Sequence, residues 1–312
     1  MKSMNGKVAI LLSVYNGQNY LEHQLKSIFK QTYDNFILFI RNDRSTDDSL
    51  QIIKKYCSLY PDHIVFLNDT NNLGAKLSFG YLLKYVQDHY EFDYYMFSDQ
   101  DDVWLPDKIL RTLDKMKQTE GDGKTPVLIH TDLLVVNNQL EQIDKSFWHY
   151  QNLDPESMEF NRLLVQNNIT GCTVMINSAL AKFLKVIPTE AIMHDWWSGL
   201  VASVFGKIAV VTEPTILYRQ HVSNTLGAKK FNTRYVIRRI IEPIEIHKHI
   251  AQARYFYNQY YDIMDKKNKI ILVQFLRLEQ SNYLYKIYLI VKNRFFKSGL
   301  LRNIGFILKP FS

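Results

Sequence analysis

Three carboxylates crowd one short stretch of this chain: Asp99, Asp101 and Asp102, in the run YYMFSDQDDVW at 94–104. The run opens apolar and aromatic (Tyr94, Tyr95, Met96, Phe97), as a buried strand does, and ends in acid. Carboxylates packed at the end of a buried strand repel one another unless a hard divalent cation lies among their oxygens. Side chains alternate along an extended chain, so Asp99 and Asp101 share one side. An acidic turn before a helix opened by Pro106 is the other reading of the same residues. A fourth acid, Asp195, stands between His194 and the pair Trp196-Trp197, at the head of an apolar helical run. It suits a helix cap; with two Trp beside it, it also suits a sugar platform, because pyranose faces stack on aromatic rings. Gly171, in ITGCTVMIN at 169–177, would let a backbone approach a ligand closely. Arg219 and His221, in LYRQH, lie on one side of an extended chain.

The elements that must position these residues alternate in type. Apolar runs at 7–14, 35–40, 64–67, 94–97 and 127–136 read as strands. Helical spacing occupies 18–31, the segment with Leu50, Ile53 and Tyr56, then 75–88, 106–117 and 178–186. Ser45 or Thr46 is placed to cap the second of these helices. Such alternation predicts an α/β protein with a parallel sheet and helices on both faces. Ligands of these sheets bind outside the carboxyl ends of the strands. Tyr15-Asn16, Asn42-Asp43 and the Asp99 cluster fall at those ends and so form one site. Neither GxGxxG nor GxxxxGK[ST] occurs, which removes the dinucleotide fingerprint and the P-loop. Residues 139–160 read as a long connection over the active face; a strand follows at 207–212, and 215–221 closes this part of the chain.

The chain has 312 residues, 46% hydrophobic and 22% charged, the composition of a folded globular protein. Its two cysteines, Cys57 and Cys172, form neither a disulfide framework nor a zinc spacing, and a reducing cytoplasm is expected. VAILLSVYNG at 8–17 is too short to span a membrane, and no run of about 18 apolar residues occurs elsewhere. Charge is unevenly placed: 229–312 carries 17 Lys+Arg and 5 Asp+Glu, net +12, against −5 for 1–228. This divides the chain into a domain at 1–228 and a basic, largely helical region at 229–312. In the latter, Arg234, Arg238, Arg239, Lys286, Lys292 and Arg302 interleave with Leu, Ile, Phe and Tyr. That composition suits helices lying on an anionic bilayer, or a helical oligomerisation module. With no helix-turn-helix, zinc-finger or RNA-binding signature, no nucleic-acid partner is expected.

Seven segments in order carry a family likeness: VAILLSVYNG (8–17), FIRNDRSTDDS (39–49), NNLGAKLSFGYLL (71–83), SDQDDVWLPDKI (98–109), NITGCTVMIN (168–177), MHDWW (193–197) and LYRQH (217–221). Together they resemble the inverting glycosyltransferases of family 2, with the GT-A fold: a Rossmann-like, mostly parallel central sheet. The likeness leaves the tail uncovered. SDQDDVW, MHDWW and YRQH are most similar to bacterial rhamnosyltransferases of cell-wall and capsular polysaccharide assembly.

The resemblance implies a single displacement at a nucleotide sugar. Asp101 becomes the implied main ligand of Mn²⁺ or Mg²⁺, Asp99 a contact to ribose or metal, and His221 a contact to metal or diphosphate. Asp195 becomes the general base. Asp43 is implied to recognise the nucleobase, Tyr15 to cover it, Lys76 to approach base or phosphate, and Arg219 to contact phosphate. Trp104, Gly171, Trp196 and Trp197 fall on the acceptor and sugar side. The implied donor is dTDP-L-rhamnose, with a UDP-hexose or UDP-N-acetylhexosamine as the alternative. The implied acceptor is a lipid-linked glycan, which makes the protein cytoplasmic and peripheral at the inner membrane face, with a homo-oligomer as the other use of the tail. A non-catalytic sugar-binding subunit would lack the base or the metal motif, and both are present. A nucleotidyltransferase would carry a Gly-rich, phosphate-contacting start after the first strand, and none follows it.

Overall fold

The structure is a computed structural model that describes residues 6–221 and 246–308. Four parallel strands, β1 (Val8–Val14), β2 (Phe36–Asn42), β3 (Ile64–Asn68) and β4 (Tyr94–Ser98), lie in the order β3-β2-β1-β4. Helices α1 (Leu21–Ile28), α2 (Ser49–Leu59) and α3 (Gly74–His89) connect them. Register pairs Val14 with Asn42 and Leu12 with Ser98. The three polar loops of the site therefore leave one edge of the sheet together. α2 begins at Ser49, later than expected. Its first N–H is taken by Asp47 Oδ1, while Ser45 Oγ accepts from the Asn16 N–H and ties the first two loops.

Beyond β4 the sheet is mixed. β5 (Val103–Trp104) and α4 (Lys108–Glu120) lead to β6 (Val127–Val136), β7 (Gln142–Asp144), and the short helices α5 (Phe147–Gln151) and α6 (Phe160–Leu163). Then come β8 (Met175–Asn177), α7 (Ser178–Phe183), α8 (His194–Phe205) and β9 (Lys207–Arg219). β8 runs antiparallel between β4 and β6, so the sheet is mostly parallel, as the GT-A resemblance implies. The strand expected at 207–212 runs on to Arg219 as β9, parallel to β6 with register shifts at Thr131 and Asp132. The 139–160 connection also has structure of its own: Asp132 Oδ1, placed mid-strand, accepts from the Phe147 N–H and starts α5.

Period-two alternation splits the strands between two cores. Ile10 and Leu12 face α1, α2 and α4; Ala9 and Leu11 face α3, α7 and α8. The second core continues into the tail: α9 (Ile246–Tyr260), α10 (Lys266–Leu276), α11 (Tyr283–Lys292) and α12 (Leu300–Leu308) give it Phe256, Phe275, Leu289 and Phe306. The Arg302 guanidinium donates to the carbonyls of Gln151 and Asn152 and fastens α12 to the catalytic half. The described part of the tail thus shares a core with the rest, and cutting the chain at 228 would strip cover from α8. The boundary expected at 228, and Arg234, Arg238 and Arg239, lie outside the described residues. No helix among the described residues is long and apolar enough to cross a membrane.

Candidate active site

The ends of β1, β4 and β9 bring three segments together: the loop after Val14, the acid loop 99–102 and the segment through His221. His221 Nε2 lies 2.8 Å from Asp101 Oδ2, and the His221 ring stacks on Tyr20 with centroids 4.5 Å apart. Arg219 shapes the acid loop. Its N–H donates to Asp102 Oδ1 (3.3 Å), its Nε to the Asp101 carbonyl (3.0 Å) and its Nη1 to the Asn138 carbonyl. The guanidinium is buried and lies over Tyr20 at 5.0 Å. These contacts give Arg219 a positioning duty in the acid loop.

One carboxylate oxygen each from Asp99 and Asp102 and the Cys172 thiol lie within 4.8 Å of one another. Asp102 Oδ2 is buried without a hydrogen-bond partner. Burial first, then the charges of Asp101 and Asp99, hold Asp102 well above the usual carboxylate range. Burial first, then Asp101 and Asp195, push Asp99 up as well. Carboxylates destabilised by burial and by one another are relieved by a cation. Carboxylate oxygens with one imidazole form a donor set that fits Mn²⁺, and Mg²⁺ through the oxygens alone.

Opposite stands Asp195, in the first turn of α8, where the helix dipole favours an anion. It is 6% exposed, and its Oδ1 accepts from the Trp196 N–H at 2.6 Å. Burial pushes its pKa up to about 6, against the opposing effect of hydrogen bonds from Trp196, Asn167 and Gly171. A Cβ added to Gly171 would lie 2.9 Å from His194 Nε2 and 3.5 Å from Asp195 Oδ2. The bare backbone of Gly171 therefore lets the 170–173 turn pass beside the acid. Asp195 is among the charges that raise Asp99, so Asp195 and the acid loop share one field.

Other expected site residues are placed differently. Trp197 is 1% exposed and packs edge-on against Tyr255 and Phe256 of α9, so it is a core residue and offers no face to a sugar. Trp196 is also buried, its Nε1 donating to the Leu163 carbonyl and its ring meeting His249. Trp104 is buried under Lys108 Nζ, 4.8 Å from its ring centroid. In all three cases the tail or a neighbouring helix covers a ring that the sequence left free to stack. Lys76 Nζ donates to the carbonyls of Thr189 and Ala191, both at 2.6 Å, and fastens that loop. Asp43 is buried. Its oxygens accept from the Leu73 and Gly74 N–H groups (2.7 and 2.9 Å) and pair with Arg41, so the carboxylate caps α3. Tyr15, 49% exposed, stands open at the rim.

Gln100 was missed by the sequence reading. Its Oε1 accepts from the Tyr15 N–H and its Nε2 donates to the Tyr15 carbonyl, both at 2.9 Å. It lies between two acids, and alternation turns it from the side of Asp99 and Asp101 toward the first loop, a signal the motif itself contained. Gln100→Ala is expected to cost about 1 kcal/mol of stability and to raise KM for the donor more than it changes kcat. Steady-state kinetics with a melting curve checks this; an unchanged KM would remove the clamp.

Residues 9–184 match the family model described as glycosyl transferase family 2. A dTDP-rhamnosyl transferase of Shigella flexneri, RfbG, is 30% identical over 234 residues, spanning 72% of this chain and 76% of that one. Among solved structures, S. aureus TarS bound to UDP-GlcNAc superposes with a TM-score of 0.52 at 16% identity, covering 92% of this chain and 80% of that one. The Pyrobaculum calidifontis mannosyltransferase PcManGT, with GDP-Man and Mn²⁺, gives 0.54 at 14% identity, covering 93% and 73%. A family match over more than half the chain, on a GT-A sheet whose strand ends gather the acids, makes this protein a member of glycosyl transferase family 2.

Proposed function

We propose that the protein transfers L-rhamnose from dTDP-L-rhamnose to a hydroxyl of a lipid-linked glycan in polysaccharide assembly, by one inverting displacement. The observation that carries the reaction class is the pairing of a buried Asp195 with the Asp99–Asp101–His221 cluster in one site. The donor rests on the similarity to RfbG. TarS, solved with UDP-GlcNAc, is the reason to keep a UDP-sugar as the second reading.

Asp101 and His221 would hold the divalent cation, with Asp99 beside them on metal or ribose. When bound, the cation neutralises charge on the departing diphosphate. Asp195 accepts the proton of the acceptor hydroxyl as its oxygen attacks the anomeric carbon from the face opposite the leaving group. The bond to the diphosphate breaks with its electron pair remaining on oxygen, and configuration inverts. Burial makes Asp195 a stronger base than a solvated carboxylate. Arg219 and Gln100 keep the acid loop and the Tyr15 loop in register, and Tyr15 is placed to cover the nucleobase. The protein works in the cytoplasm, held peripherally at an anionic membrane surface where a lipid-linked acceptor is concentrated.

Nucleoside diphosphate release from a donor panel tests this. Release from dTDP-L-rhamnose well above that from UDP-glucose, UDP-galactose and UDP-N-acetylglucosamine is the expected result. A UDP-sugar ahead of it would overturn the rhamnose assignment, and no release from any donor would overturn the transferase reading.

A further inference from the structure

The tail carries a surface that the reaction does not use. Of the seventeen large apolar side chains exposed among the described residues, nine lie between Tyr283 and Leu308, so the exposure is concentrated on α11 and α12. α11 buries Leu289 and Ile290 against the core, yet Leu284, Tyr288 and Val291 lie on the opposite side, with Leu284 77% exposed. A helix that is apolar all round belongs in a core or against lipid. α12 repeats the pattern: Phe306 is buried, while Leu300 (75% exposed), Leu301, Ile304 and Leu308 face away. The Tyr283 hydroxyl donates to the Ile307 carbonyl at 3.3 Å, so the start of α11 meets the end of α12.

The charge around these stripes has one sign. Residues 280–312 contain no Asp or Glu, while Lys286, Lys292, Arg294, Lys297 and Arg302 lie within 283–308. Tyr285 and Tyr288 stack at 5.6 Å, with Lys292 Nζ 5.2 Å from the Tyr288 ring centroid. Amphipathic aromatic rings beside cations are what the headgroup level of a bilayer selects.

We propose that the outer faces of α11 and α12 form one seating surface for an anionic lipid bilayer, with the apolar stripes entering the acyl boundary and the basic side chains meeting the headgroups. This deepens the membrane association proposed above by naming the face that makes it. The charge favours lipid over a second copy of the chain, since two such faces would bring cations against cations. Neither helix spans the bilayer; both lie in its plane.

Flotation of the full-length protein with phosphatidylglycerol-containing vesicles and with pure phosphatidylcholine vesicles tests the surface. The protein floats with the anionic vesicles, less with the neutral ones, and less as salt rises. Leu284→Glu with Leu300→Glu, both at exposed positions, weakens binding at least about tenfold. Lys292→Glu with Arg294→Glu, which keeps every apolar side chain of the two stripes, weakens it on anionic vesicles only and serves as the second variant if the first does not fold. Failure to float with anionic vesicles, or wild-type flotation of folded variants, would overturn the proposal. A lipid-free dimer dissolved by Leu284→Glu with Leu300→Glu would also overturn it, assigning the face to a second copy. Flotation reads no sugar transfer, so it and the donor panel fail independently.

Discussion

Asp195→Asn lowers the transfer rate by about 10²- to 10⁴-fold, the range for loss of a general base, and leaves donor binding in place. Asparagine keeps the volume of the side chain and an oxygen to accept the Trp196 N–H, so the first turn of α8 is preserved. What is lost is the acceptor of the hydroxyl proton. The same substitution changes the pH profile. The carboxyl is pushed up to about 6 by burial, and only the deprotonated form acts as base. Wild-type kcat therefore rises with pH through about 6 and then levels, whereas the residual rate of the Asn variant lacks that rise. Single-turnover rates from pH 5 to pH 8, on both proteins with saturating donor, check the two effects together. A variant with the wild-type profile would remove Asp195 from the base role.

Trp197→Ala destabilises the protein by about 3–5 kcal/mol, the range for deleting a large buried aromatic side chain. Its ring lies between α8 and α9, against Tyr255, Phe256 and, with centroids 6.0 Å apart, Tyr260. The hole would open where the tail docks, so α9 should loosen with it. Denaturant unfolding measures the loss, and acceptor KM on the folded fraction separates it from a binding effect. A stability change below about 1 kcal/mol with a large rise in acceptor KM would restore the sugar-platform reading, because surface substitutions of that size are common away from packed sites.

Much of this arrangement was legible before any coordinates. β1 is covered on both faces, so its sequence is continuously apolar and cannot be mistaken. Asp99, Asp101 and Asp195 stood out because carboxylates beside apolar runs are unusual, although an acidic turn and a helix cap would also place them there. β8 was not readable as an antiparallel insert: it has three residues, and strand direction leaves no mark on so short a segment. The two Trp of MHDWW misled because composition does not say what covers a ring. α9 lies about fifty residues further along the chain and supplies that cover. The partners of Lys76 and Arg219 were hidden in a related way. A cation near a site suggests an anionic ligand, but both groups are engaged by backbone carbonyls that only the tertiary fold brings near.

The central claim is that a divalent cation at Asp101 and His221 holds the nucleotide sugar in front of Asp195. The most direct measurement is a titration of dTDP-L-rhamnose into wild type and Asp101→Ala, each with Mn²⁺ and with chelator. The account predicts saturable binding by the wild type with Mn²⁺, at least about tenfold weaker binding with chelator, and no response to Mn²⁺ in the variant. Equal affinity in all four experiments would contradict it, because the carboxylate cluster would then have no part in holding the donor.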